Sequence, residues 1–218
     1  MMKRIEWALL LALAAGILLC AGTLEVTCDG IRDNVLRLHV LANSDDPADQ
    51  QLKLKVRDRL LEAGGDLFAD AGSRDEALSV VQSHLDLFRE EAQNAVIEAG
   101  YAYDVAVSLE NVYFTTRRYG DITLPAGEYM AVRVRIGAGK GHNWWCVMFP
   151  PLCVPAASEE GARLEDVLDD GQLSLIQGNG GEMRFWCVEK AEEWREKRRQ
   201  EERRSRREMT QSGSKGKF

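Results

Sequence analysis

Three histidines occur in the chain, His39, His84 and His142, and no two stand at the helical or hairpin spacing of a metal site built from one element. His39 is followed by Ser44, Asp45 and Asp46, which have the residue types of a nucleophile, a base and an orienting carboxylate. The context points elsewhere. Ser44 lies in Asn43-Ser-Asp-Asp-Pro47, where Asp46 suits a helix cap and Pro47 the first helical position. The Gly-x-Ser-x-Gly elbow is absent. Asp45/Asp46 and Asp169/Asp170 are ordinary pairs for an acidic protein and read as solvated or capping carboxylates. The run Gly137-Ala-Gly-Lys-Gly141 invites comparison with a phosphate-binding loop. It lacks the four-residue gap before Gly-Lys and the following Ser or Thr, and it leads into a strand, so no helix N-terminus faces a phosphate. A hairpin connection is the expected role. No catalytic set, cofactor site or metal site emerges.

The elements that would position these residues are of mixed type. Val35 to Asn43 alternates, with Leu36, Leu38 and Val40 on one face and Arg37 and His39 on the other, which predicts a half-buried strand. A helix follows from Pro47, carrying Leu52, Val56 and Leu60, and is expected to stop at Gly64-Gly65. Ser73-Arg-Asp-Glu76 is a capping box, and an apolar stripe predicts one long helix from it to Gly100. Period-two runs predict strands from Tyr103 to Leu109, Val112 to Thr116, Glu128 to Ile136 and Trp144 to Phe149, the third with an exposed arginine-bearing face. Residues 156–181 are weakly patterned, with a short helical piece around Leu164 to Leu168; Met183 to Val188 reads as a last strand. From Glu189 to about Glu208 the chain is a charged helix, and the remainder reads as disordered. The expected class is α+β: a mostly antiparallel sheet packed against two amphipathic helices. The expected divisions are a leader at 1–24, a folded domain at 30–155, an extension at 156–188 and a charged tail at 189–218.

The chain's ends set its surroundings. After Lys3 and Arg4, no charge occurs from Trp7 to Leu24; eighteen helical residues span ~27 Å, close to a hydrocarbon core. The cationic start favours sending the rest across a bilayer. A cleaved signal peptide and a single-span anchor both fit. The net charge is −7; residues 190–218 hold 11 Lys and Arg against 6 Glu, a net of +5, so the rest carries −12. An acidic body excludes nucleic acid as the main partner. In an exported chain Cys28, Cys146, Cys153 and Cys187 permit disulfides. Cys146 and Cys153, flanking Pro150-Pro151, are the best local pair, while a role as buried small hydrophobes fits Cys146 and Cys187 equally.

Aromatic residues concentrate in the extended part of the chain. Consecutive Trp144 and Trp145 on a strand point to opposite faces, so either the second face is covered by a helix layer or one tryptophan meets a partner. Tyr113, Arg133, Trp144 and Trp145 are the candidate contact residues.

Two segments carry a resemblance. RLHVLANSDDPADQQLKLKVRD (Arg37 to Asp58) and YGDITLPAGEYMAVRVRIGAGKGHNWWCVMFPPLC (Tyr119 to Cys153) are similar to signatures of the stage II sporulation protein R family, in the same order. The resemblance covers about Ile31 to Cys153. It implies a forespore protein, not an enzyme, exported into the space between the forespore and mother-cell membranes. There it would activate a membrane-embedded aspartic protease that processes pro-sigma-E. Two rival expectations are a secreted septal peptidoglycan hydrolase, using His39 with Asp45, and a membrane-anchored structural protein whose basic tail meets an anionic surface.

Overall fold

The caps set the helix starts. In the computed structural model, which describes residues 2–152, 163–177 and 181–215, the Asp46 carboxylate accepts the Ala48 amide at 2.9 Å and Pro47 opens a helix over Pro47–Leu67. It passes through Gly64-Gly65 because buried Phe68, just beyond, closes the last turn onto the Gly64 carbonyl at 2.9 Å. The expected helix from Ser73 to Gly100 is two, Arg74–Ser83 and Leu85–Glu98. They part at His84, whose ring Nδ1 lies 2.9 Å from the Val80 carbonyl oxygen while the Ser83 hydroxyl donates to Ser79 and Val80. Such local side-chain bonds compete with the helical ladder and bend it.

In chain order the elements are α1 (Met2–Asp33), β1 (Leu36–Leu41), α2 (Pro47–Leu67), α3 (Arg74–Ser83), α4 (Leu85–Glu98), β2 (Val105–Phe114), β3 (Arg117–Tyr119), β4 (Ile122–Leu124), β5 (Gly127–Ile136), β6 (Asn143–Phe149), α5 (Leu164–Val167), α6 (Asp170–Ile176) and α7 (Gly181–Lys215). The fold is α+β. The main sheet has the order β2-β5-β1-β6, and β3 and β4 form a separate ribbon. Two of the three main pairings are antiparallel; β1 and β5 run parallel.

The strand order changes the role of the glycine loop. β5 and β6 lie on opposite sides of β1, so residues 137–142 arch over the end of β1 and do not form a hairpin. The Lys140 and Gly141 amides donate to Asn43 and Ala42 carbonyls at 3.1 and 3.0 Å. A side chain at Gly141 would place its Cβ 2.1 Å from the Ser44 carbonyl oxygen, and Gly137 and Gly139 adopt φ of 54° and 61°. These glycines serve backbone approach.

All of β1 is buried, against the half-buried strand that its alternation predicts. One face carries Leu36, Leu38 and Val40 into a core with Val56 and Leu60 of α2 and Phe88 and Val96 of α4. The other lies under a second core formed by Cys28 and Ile31 of α1, Leu164, Leu168 and Ile176 of the α5–α6 segment, and Phe185 and Val188 of α7. Met183 to Val188 is therefore helix: Phe185 and Val188, three apart, enter one core from one side. A largely apolar segment of six residues is too short for its period to separate helix from strand. α7 also continues through Lys215, into the segment expected to be disordered.

α1 is long and apolar enough to cross a membrane, and its apolar stretch is exposed, as for Trp7 and Leu18. It is compatible with a signal sequence or an anchor. Its last turns belong to the domain: Cys28 and Ile31 are fully buried, and the Arg32 side chain donates twice to the Ala126 carbonyl, at 3.0 and 2.6 Å. Cys28 is a free thiol that burial pushes up to about 12, which makes it unreactive. Cys146 is disulfide-bonded; the expected partner, Cys153, lies outside the described residues, as does the side chain of Cys187.

Arg37, the second residue of β1, is fully buried. Its guanidinium sits 4.1, 4.8 and 5.4 Å from the ring centres of Phe114, Tyr129 and Tyr119. Nε donates to the Cys146 carbonyl at 2.9 Å and Nη2 to the Tyr119 hydroxyl at 2.5 Å. Among the described residues it has no carboxylate partner and Nη1 has no acceptor, so burial lowers its pKa. Cation–π attraction offsets part of the desolvation. Arg37→Ala, which empties the cage, is expected to lower stability by about 3–4 kcal/mol, and Arg37→Met by less than half as much. Urea unfolding of the detergent-solubilised chain checks this; equal losses would show that cage filling is not what matters.

Candidate functional site

The register of the sheet fixes which side chains share the second face. Directly paired residues point the same way, so three rows run across it: Glu110–Ala131–Arg37–Val147, Ser108–Arg133–His39–Trp145 and Ala106–Arg135–Leu41–Asn143. The first row lies beneath the layer built by α1, α5, α6, α7 and the β3–β4 ribbon. The other two reach its edge. There Ala106, Ser108, Arg135 and Asn143 are exposed and Arg133 and Trp145 are half-exposed. The arginine-bearing face predicted for β5 is this open end.

Trp145 is the fixed point of the surface. His39, its neighbour across the strand pair, stacks on it with ring centres 3.9 Å apart and planes at 9°. Phe114 meets it edge-on at 4.7 Å. The Arg117 guanidinium, at the start of the ribbon, lies 5.8 Å from its ring centre. Arg117, Lys140, His142, Asn143 and Trp145 line one shallow cleft, together with Asp45 and Gly141. Arg133 pairs with Glu110 at 3.2 Å. Asp45 accepts the His142 backbone amide at 2.6 Å and pairs with the His142 ring, and these contacts, the amide first, lower its pKa.

The loose constellation around His39 does not assemble. His39 is 4% exposed and inside the sheet, Asp45 is engaged by His142, and the Ser44 hydroxyl donates to Asp49 at 2.5 Å. Burial holds the His39 imidazole down at about 4, with nearby Arg133 acting in the same direction and Asn143 and Glu110 opposing it. Neither ring nitrogen makes a well-formed hydrogen bond. It is an apolar slab backing a tryptophan. Asp169, from the other carboxylate pair, caps α6 by accepting the Gln172 amide at 2.8 Å.

Of the four candidate contact residues, the fold brings Arg133 and Trp145 together and separates the other two. Trp144 turns to the helical face, half-buried, with the Arg57 guanidinium 4.4 Å from its ring centre. Tyr113 is half-buried at the end of β2. Burial, and then the glutamates of α7 led by Glu192, push its phenol up to about 12. Arg117 and Lys140 join the surface without any sequence signal for doing so. Arg117 depends on the ribbon folding back over β6, and Lys140 on the crossover.

The segments that build this surface also place the chain among known proteins. The profile described as Stage II sporulation protein R matches residues 32–159, more than half the chain. The chain belongs to the stage II sporulation protein R family. A curated relative, "Stage II sporulation protein R" of Bacillus subtilis (strain 168), is 34% identical over 180 residues, covering 73% of this chain and 80% of its own length. No solved structure matches. The family match begins at Arg32, the residue that ties α1 to the domain, and includes the whole main sheet. It is a sporulation family, and the resemblance in the two signature segments is borne out.

His39 makes a pH prediction for this family member. A group held below its ordinary 6.5 in the folded state binds fewer protons there than when unfolded, so its contribution is complete above about 6.5 and is lost as pH falls towards about 4. The loss is up to roughly 3 kcal/mol. His39→Phe keeps a ring against Trp145 and cannot titrate. Thermal unfolding of the two proteins between pH 7 and pH 4.5 should show a smaller drop in Tm for the variant; parallel drops would count against this assignment.

Proposed function

We propose that this chain is an exported sporulation signal. It binds the extracytoplasmic side of a membrane-embedded aspartic protease that processes pro-sigma-E and favours the active arrangement of that protease. The observation that carries the reading is the continuity of α1. The helix that can span a membrane runs without a break into the core of the domain that matches the family. From Leu24 to Cys28 is four residues, or ~6 Å of helix. This continuity supports a domain held close to a bilayer; in the space between forespore and mother cell, a membrane protease would be in reach. A ligand shifts such an enzyme only by binding its active state better than its inactive one. The protein need break no bond itself, and the groups that suggested hydrolysis are otherwise engaged: His39 in stacking and Asp45 with His142.

Producing this chain, the protease and pro-sigma-E together in a non-sporulating host is expected to give shortened sigma factor, detected by immunoblot. Leaving out this chain should leave the precursor whole. Unprocessed precursor with all three present would refute the proposal.

The structural-protein alternative makes the basic tail essential. The root of α7 is packed, with Glu192 near Arg32 and Arg199 near Glu128, at 3.9 and 3.6 Å. Truncation after Gln200 spares these contacts. In the same host the truncated chain is expected to support processing within about twofold of the full chain; loss of processing with the domain still folded would favour the tail as the working part.

A further inference from the structure

We propose that the open end of the sheet's second face, centred on Trp145, receives an acidic extracytoplasmic segment of a protein partner. The inference rests on the activator reading and gives it a contact surface. Outside residues 190–218 the chain carries a net −12, yet this surface is locally basic. Arg117, Arg135 and Lys140 are exposed, and among the described residues none has a carboxylate within ion-pair distance. Among the described residues Arg135 donates to the Gly137 carbonyl alone, at 2.6 Å. Of the acids nearby, Glu110 and Asp45 are already held by Arg133 and His142, and exposed Asp104, whose carbonyl accepts the Gly137 amide at 2.9 Å, makes no ion pair with these cations. What remains is a set of unspent cations beside an aromatic ring.

The ring is built as an anchor. Trp145 is half-exposed and cannot swing, because His39 stacks on it at 3.9 Å and Phe114 closes its edge at 4.7 Å. A rigid tryptophan flanked by arginines is the composition of an interface hot spot, since little side-chain freedom is lost on binding and the guanidinium forks match carboxylates. The register puts Arg135 two strand spacings from Asn143, about 10 Å, and Arg117 and Lys140 line the cleft beside Trp145. These cations stand at fixed, unequal positions with engaged acids between them. That pattern suits carboxylates at set points on a polypeptide better than the uniform charge of a lipid surface.

The test uses the full chain carrying Arg117→Glu, Arg135→Glu and Lys140→Glu together, and membrane vesicles from the non-sporulating host with and without the protease. Co-sedimentation is measured at low and high salt, and pro-sigma-E processing in the same cells. Wild type is expected to bind protease-bearing vesicles more weakly as salt rises. The reversed chain should bind them at least about tenfold more weakly and lose processing, with unchanged Tm. Replacing the same three residues with Gln should give an intermediate loss, and Arg89→Glu on exposed α4 none. If the reversed chain binds and activates like wild type, the surface proposal is overturned while the activator reading stands. If it loses only binding to protease-free vesicles, or only self-association by light scattering, the occupant is lipid or a second copy and the proposal fails. If wild type itself neither binds nor supports processing, the activator reading fails first.

Discussion

A positive charge buried in the middle of the sheet is the constraint around which the second half of the molecule is arranged. Arg37 occupies a position on β1 from which its guanidinium cannot reach water. An isolated buried cation is costly, and no described carboxylate neutralises it. Three aromatic faces and two oxygen acceptors stabilise it instead, contributed by Phe114 from β2, Tyr129 from β5, Tyr119 from the ribbon, and the β6 carbonyl of Cys146. Every strand of the main sheet and the excursion between β2 and β5 therefore converge on one side chain. The ribbon lies where it does because Tyr119 must reach Arg37; its hydroxyl also lies 3.3 Å from the Trp145 carbonyl. That placement carries Arg117 to the neighbourhood of Trp145, so the cage deep in the sheet sets the outline of the open surface.

The layer over this face is assembled from both ends of the chain. Arg32 of α1 lies 2.6 Å from Asp29 and 3.9 Å from Glu192 of α7, and Arg195 bridges Glu25 and Glu192. Charged side chains join the two helices while Ile31, Phe185 and Val188 fill the interior beneath them. The layer stops short of the sheet's far end. Coverage at one end gives the sheet two cores; lack of coverage at the other leaves a rigid polar and aromatic surface.

How far the residues foretell this arrangement depends on the range of the interactions involved. The Asp46 cap, the alternation of β5 and the start of α2 rest on neighbours within a few positions, and they stand as read. Ser73 caps α3 by accepting the Glu76 amide, but the Glu76 carboxylate accepts from Gly72 and not from Ser73, so the expected box closes on one side only. The break at His84 also has a local cause, but it lies in a ring nitrogen taking a carbonyl, which an apolar stripe does not reveal. The identity of Met183 to Val188 as helix depends on which core receives Phe185 and Val188. The Gly137–Gly141 crossover depends on strand order. In the candidate surface, Arg133 and Trp145 are visible as an arginine on an open face and a tryptophan without an obvious core. The inward turn of Trp144 and the arrival of Arg117 and Lys140 are not.

By itself the sequence determined a helix long and apolar enough to cross a membrane, the α+β class, the family and the absence of a recognisable catalytic motif, because each is written in composition, short-range period or a long run of matched residues. The tertiary structure alone decided that β1 is buried on both faces, that His39 backs a tryptophan, and that Arg37 lives among aromatic rings. Those facts depend on which distant segments cover a face. Alternation along a strand says that two faces differ; it does not say what packs against either one.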